Sequence, residues 1–265
     1  MINRVRRNTL LTSTRWVWPT LLLIPFSVSA GCLSADDPIS TDRPSVANTS
    51  DTVPKGSVQL EGGVTETRNQ GIWTIDLPET RMRVGVTDCT EILADFPDYY
   101  RSSTTGANQG TTNPGLAIKH QFPDWVDGLT LLGTIGVLLD TGDAAIAGAG
   151  SNAYAQVPWS YDFGNSWSIN GMFSTLEQRH APNTNSIYVS TLYLDRVVND
   201  KSDMFVEFAN NDQKEVASVN TWGLGGAYRI TQMQQFDFKV GSGLNKAGPG
   251  FYMTIGYSVR LNRLF

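Results

Sequence analysis

The end of the chain alternates. Phe251, Met253, Ile255, Tyr257, Val259 and Leu261 fall on one side, and Thr254, Gly256, Ser258, Arg260 and Asn262 on the other. Successive side chains of a strand point to opposite faces, so this pattern predicts a strand with one greasy and one wet face. The strand is read as running to the terminal aromatic residue, Phe265. Similar period-2 stretches recur from residue 56 onward. They predict twelve strands, near 56–68, 72–86, 90–100, 114–122, 128–140, 151–162, 166–178, 186–197, 202–210, 217–229, 235–242 and 250–265. Pro78, Pro97 and Pro158 fall inside these stretches. Proline cannot donate to a ladder, so each is expected to mark a bulge or a strand tip.

Alternation alone fits either a sandwich packed on a second sheet or a barrel whose greasy face meets lipid. A lipoprotein carrying a soluble β-sandwich is therefore the main alternative fold. Three features favour the barrel. A terminal aromatic preceded by alternate apolar residues is what the outer-membrane assembly machinery reads, although Arg263 breaks the pattern. Trp73, Tyr99, Tyr100, Trp125, Trp159, Tyr161, Trp167, Trp222 and Tyr228 cluster near strand ends, where half-greasy, half-wet rings suit the two membrane interfaces. The amino terminus carries an export signal.

That signal has Arg4, Arg6 and Arg7 in front, an apolar stretch at 16–28, and small residues at 28–30. The stretch is shorter than the roughly 20 residues of a spanning helix. Cleavage is expected after Ala30, with a second option after Ala35. A twin-arginine reading of Arg6 and Arg7 fits the following residues poorly. Residues 31–55 are polar, hold Pro38, Pro44 and Pro54, and read as an extended periplasmic lead-in to a barrel at 56–265. An even strand number returns both barrel ends to the periplasmic side. The connections near 100–113, 141–150, 179–186, 211–216 and 242–249 then face outward as loops, and the short ones face the periplasm.

Composition agrees. Charged residues are 17% of the chain, and there are 25 Gly, 7 Trp, 9 Tyr and 11 Phe, which suits many strands with tight turns. A net charge of −5 offers no basic patch for a nucleic-acid partner. Cys32 and Cys89 are the only cysteines. Cys32 reads first as lost with the signal or unpaired; a lipidated amino terminus and a disulfide to Cys89 are the alternatives. No CxxC pair is present, and two isolated histidines make no metal set. No cofactor motif is visible: the small-residue run Gly142 to Gly150 lacks the lysine of a phosphate loop.

Several short motifs occur in order. Thr41-Asp42-Arg43-Pro44 is followed by Thr52-Val53-Pro54-Lys55-Gly56, by Val58-Gln59-Leu60-Glu61-Gly62-Gly63, and by Arg83-Val84-Gly85-Val86-Thr87-Asp88 with Glu91. Together they resemble the outer-membrane transporters of the MetA pathway of phenol degradation family, over roughly residues 38–265. The resemblance implies a twelve-strand-like barrel and uptake of small molecules, aromatic ones among them. Cys89 stands where an ordinary turn residue is expected.

The expected fold is thus an all-β, transmembrane, antiparallel up-and-down barrel in the outer membrane. Its partners are outer-membrane lipids, the assembly machinery and a small-molecule solute. Charges on the lipid face cost about 2–4 kcal/mol at the midplane. The charged strand residues are therefore assigned to the lumen: Glu61, Arg81, Arg83, Glu91, Asp95, Lys119, Glu207, Asp237, Lys239 and Arg260. They either line a selective pore or pair across the lumen and brace it. Glu61, Arg81, Arg83 and Glu91, joined by Lys119, form the first cluster to consider. The functional reading is a passive or selective channel rather than an enzyme. A closed structural barrel is one alternative. A membrane-embedded lipid hydrolase is another, and it would need a serine beside His120, placed near a periplasmic strand end, or His180, placed in an outer loop.

Overall fold

A computed structural model describes residues 31–104, 109–148, 150–180 and 183–265, with the backbone alone at 179, 180, 183 and 184. The expected signal, 1–30, lies outside these residues.

Fifteen strand segments form one antiparallel sheet. They are β1 (Val58–Asn69), β2 (Ile72–Leu77), β3 (Arg81–Thr87), β4 (Thr90–Asp95), β5 (Tyr99–Ser102), β6 (Gln109–Thr111), β7 (Gly115–Gln121), β8 (Leu129–Leu138), β9 (Asn152–Asp162), β10 (Trp167–His180), β11 (Asn183–Asn199), β12 (Ser202–Gln213), β13 (Val219–Thr231), β14 (Gln234–Gly243) and β15 (Phe251–Leu261). β15 also pairs with β1, from Val58 opposite Leu261 to Arg68 opposite Phe251, which closes the sheet into a barrel. Three pairs of segments are collinear, so the wall has twelve staves. β1 pairs first with β2 and then with β3 along one edge. Their interruption holds Pro78; the break between β4 and β5 holds Pro97, and the break between β6 and β7 holds Pro114. A missing N–H explains each gap. Pro158 instead sits inside β9. There the ladder to β8 skips Leu132 and Gly133 while the register holds.

The alternation read from sequence gives the two faces. In β15, Thr254, Gly256, Ser258 and Arg260 are buried, whereas Ile255, Tyr257 and Leu261 are exposed. Ile135 is 67% exposed, Phe173 61% and Ile118 51%. Side chains of this size, exposed all round the wall, make an apolar belt that suits lipid. Trp125, Tyr161 and Tyr228 ring one end, and Trp73, Trp222 and Phe251 the other, all exposed. No helix among the described residues is long and apolar enough to cross a membrane; the strands do the crossing. We call the end where β1 begins and β15 stops the terminal rim, and the opposite end the far rim.

Four expectations are corrected. The last strand stops at Leu261 rather than at Phe265. Arg263 turns the chain with φ 58°, and the Leu264 N–H goes to the Gly56 carbonyl at 2.7 Å instead of to the ladder. Within the loop expected at 179–186, β10 runs to His180 and β11 starts at Asn183, so His180 is a strand residue. The lead-in, expected to extend through the periplasm, instead folds back at residues 38–54 among the inward side chains. Finally, Cys32 is bonded to Cys89, with 5.5 Å between their α-carbons. Alternation gives no signal for a segment that is not a strand, and cysteine spacing gives no distance.

Candidate functional site: the plugged lumen

The segment 38–54 enters at the terminal rim, rises into the lumen and returns. Its root is fixed several times. The disulfide ties Cys32 to the tight turn between β3 and β4. The side-chain amide of Asn262 donates to the Ala35 carbonyl at 2.6 Å, and the Ile39 N–H to the Gln232 carbonyl at 2.7 Å. Ile39, Ala47, Thr52 and Val53 are fully buried. We call this segment the plug.

The wall makes room for it with inward glycines. A β-carbon on Gly85 would lie 2.1 Å from the Pro54 carbonyl oxygen and 2.3 Å from that of Val53. One on Gly63 would lie 2.2 Å from the Arg43 guanidinium. At these positions only glycine admits so close an approach.

Asp42, near the start of the plug, is the centre of the charge network. Its carboxylate lies 2.9 Å from Arg81, 3.0 Å from Lys119 and 3.6 Å from Arg83. Its N–H donates to Glu61 at 3.0 Å. Arg83 also meets Glu61 at 3.0 Å and Glu91 at 3.0 Å, and Arg81 meets Asp95 at 2.6 Å. Glu91 accepts the Val53 N–H at 2.6 Å where the plug turns back. Burial by itself would raise the pKa of Asp42, but Arg83, Lys119 and Arg81 outweigh it and hold the carboxyl well below the usual range.

A second group lies across the lumen. Glu207 accepts from the Ser45 hydroxyl at 2.7 Å and the Val46 N–H at 2.8 Å, and is held by Lys239 at 2.8 Å. Arg43 reaches Glu79 at close range and Asp237 at 3.6 Å. Arg260 donates to the Pro38 carbonyl at 3.4 Å and closely to that of Asp37. Each of the ten charged residues expected in the lumen therefore faces it. Glu61, Arg81, Arg83, Glu91, Glu207, Asp237 and Arg260 touch residues of the lead-in directly, as does Lys119. Asp95 and Lys239 act on Arg81 and Glu207. Sequence reasoning missed Asp42 and Arg43 as site residues. They lie in the Thr41–Pro44 motif, which is not strand-like, and that motif was the signal available.

The plug divides the free space. On the far-rim side a cavity of about 370 Å³ is lined by Asp76, Glu79, Arg81, Asp98 and Asn113. On the terminal-rim side two cavities, about 310 and 350 Å³, adjoin at Thr49, Ser168, Asn170 and Tyr193. Arg43 and Ser45 line both the far-rim cavity and the nearer terminal-rim one.

Only His120 of the two histidines has a described side chain. His120 sits on the exposed face, its Nδ1 2.9 Å from the Thr90 hydroxyl and its ring edge-on to Phe122. The His180 side chain is outside the described atoms. No group of three metal-ligating side chains exists among the described residues.

A closed twelve-stave barrel with an apolar belt, two aromatic rings and a charged interior has the architecture of an outer-membrane β-barrel. The crystal structure of an outer membrane channel from Pseudomonas putida F1 is similar, with a TM-score of 0.60 and 12% identity, covering 79% of this chain and 97% of that one. The NanC porin (TM-score 0.54, 8% identity, 77% and 100% covered) and the KdgM porin (0.54, 7%, 77% and 98%) share the fold. No curated protein matches the sequence. The family model described as MetA-pathway of phenol degradation matches residues 41–261, and the chain belongs to that family. The match begins at Thr41, so it takes in the plug.

Proposed function

We propose that the protein is a passive outer-membrane channel for small molecules, aromatic ones among them, with the plug as its constriction. The observation that carries this reading is the layout of the lumen. Polar cavities stand on both sides of the plug, and Arg43 and Ser45 line both of them. A barrel braced for structure alone needs no such chambers. Twelve staves lie between the eight that side chains fill and the sixteen that leave a wide pore, so a short inserted segment suffices to narrow the passage. The family's link to phenol degradation supports a small aromatic cargo. In this reading the terminal rim faces the periplasm, the apolar belt meets outer-membrane lipid, and the final strand presents the assembly signal.

Flux into liposomes tests it. Reconstituted protein should admit phenol-sized neutral solutes faster than protein-free vesicles, and more slowly admit disaccharides. A rate equal to that of empty vesicles, for the native protein and for a variant lacking 38–54 alike, would sink the proposal in favour of a closed barrel.

A further inference from the structure

The outward face of the wall dips near the terminal rim, across β10 to β13. Ladder partners line up there in two rows. One runs Trp167, Arg196, Met204, Gly226, and the next runs Ile169, Leu194, Val206, Leu224. Residues in register on adjacent strands share a face and touch side by side. Val206 is short between two leucines, and Gly226 puts no side chain beside Met204. The result is an apolar groove of about 530 Å³ bordered by Leu194, Met204, Val206 and Leu224, with Trp167 and Arg196 at its end. Leu194, Met204 and Leu224 stand exposed along it. A groove in a lipid-facing wall forfeits dispersion contacts unless a hydrocarbon chain follows it.

The end of the groove carries charge. Arg196 faces outward three residues before β11 stops at Asn199. Among the outward side chains of the described strands at this rim, it is the one charge. A cation is tolerated at the edge of the membrane far better than at the midplane, and its stem can lie on apolar surface while its head reaches the headgroups. Its guanidinium carbon lies 5.0 Å from the centre of the Trp167 ring, a cation–π contact that takes one face of the group. Among the described residues it forms no ion pair. The acidic neighbours are engaged elsewhere: Asp195 and Asp203 line the lumen, where Asp203 meets Arg229. Exposed Asp200 and Lys201 offset each other in the turn after β11. The donor fork of Arg196 is therefore open along its edge, and a fork matches the paired oxygens of a phosphodiester.

We propose that this groove is a binding site for an anionic phospholipid of the leaflet at the terminal rim. The phosphodiester sits on Arg196, and one acyl chain runs over Val206 between Leu194 and Leu224. An unpaired cation above an apolar groove calls for a ligand that is negative at one end and hydrocarbon below. A choline headgroup brings its own cation against Arg196, so the site discriminates by charge as well as by shape. The inference goes beyond the channel reading and does not depend on solute flux.

Native mass spectrometry of the full barrel released from detergent micelles tests it. The probes are phosphatidylglycerol and phosphatidylcholine with the same acyl chains, and heat-modifiable migration on gels is the folding check. The first phosphatidylglycerol should bind at least tenfold tighter than phosphatidylcholine. Arg196→Gln should bring the two lipids within twofold of each other, and Val206→Phe, which fills the groove, should weaken phosphatidylglycerol tenfold or more. Arg68→Gln is the control: Arg68 pairs with Glu66 at the far rim, so the preference should survive there. Equal binding of the two lipids by the native protein, or an unchanged preference in folded Arg196→Gln, would overturn the proposal. Loss of the preference in Arg68→Gln as well would make it a matter of overall charge and overturn it too. A second copy of the chain held in place of lipid, and released by Val206→Phe, would assign the groove to a subunit contact instead.

Discussion

Asp42→Asn is the sharpest single perturbation of the plug. The native carboxylate meets Arg81 at 2.9 Å, Lys119 at 3.0 Å and Arg83 at 3.6 Å in a region closed to solvent. Removing one partner of a buried ion pair costs about 3–5 kcal/mol, because the remaining charge is left uncompensated. Here the cations keep other partners: Asp95 for Arg81, and Glu61 and Glu91 for Arg83. The asparagine oxygen can still accept the Thr49 N–H, as Asp42 does at 3.0 Å. The lower edge of the range therefore applies, about 3 kcal/mol, which is roughly a 150-fold rise in the undocked-to-docked ratio at 1.4 kcal/mol per decade. Single-channel recording in planar bilayers reads this as longer or more frequent openings to a higher conductance. Asp36→Asn is the control. Asp36 pairs with Arg263 where both side chains are mostly exposed, and such pairs contribute little, so its trace should match that of the native protein. Native conductance and native protease resistance of residues 38–54 in Asp42→Asn would refute the idea that charge holds the plug.

Acid should act through the same residue. The docked Asp42 carboxyl titrates below its ordinary value, so its contribution to docking is complete above about pH 4 and is lost as pH falls further; conductance should rise in acid below about pH 4 and lose most of that rise in Asp42→Asn. Cys32 and Cys89 are 57 residues apart in sequence, a loop whose closure limits the unfolded chain by about 4 kcal/mol in the chain-entropy account. Cys89→Ser should lower the urea midpoint of the barrel in lipid and expose residues 31–37 to protease, and an unchanged midpoint would count against the tether. Gly85→Val should displace the returning arm of the plug, since its β-carbon would overlap backbone carbonyls; higher conductance from a folded barrel is the expected result. Intact mass should find a mature chain that begins ahead of Cys32 with both cysteines oxidised, and a start at Asp36 or a lipid on Cys32 would contradict it.

The wall was legible because alternation is a local property. The twelve staves and the faces of β15 follow from period 2 alone, and the lumen charges follow from the cost of a charge in lipid. The three broken staves were partly legible. Pro78 and Pro97 read as interruptions, whereas Pro114 reads as a strand start because the short segment Gln109–Thr111 before it has too few residues to alternate. The start of β11 reads as loop because Asn183, Thr184 and Asn185 have loop composition, while their backbone pairs with β10. The plug was illegible as structure. It makes no ladder, and its wall partners are 19 to 222 residues away in sequence.

Yet the plug accounts for sequence features that the barrel alone does not. A bare lumen would leave Glu61, Arg83, Glu91 and Lys119 hydrated and able to pair in several ways. Here all four side chains are closed to solvent, and buried charge is tolerated only when paired and hydrogen-bonded. The plug supplies what the wall lacks: the Asp42 carboxylate, the Val53 N–H to Glu91, and the Ser40 and Asp51 carbonyls to Arg83. The inward glycines at 63 and 85 clear its path, and the disulfide fixes its root. Wall charges, glycines and the Thr41–Pro44 motif are thus one device distributed along the chain. It is for this reason that changes in the plug and in the wall facing it should be strongly non-additive: Asp42→Asn combined with Lys119→Met should cost less than the two single effects together.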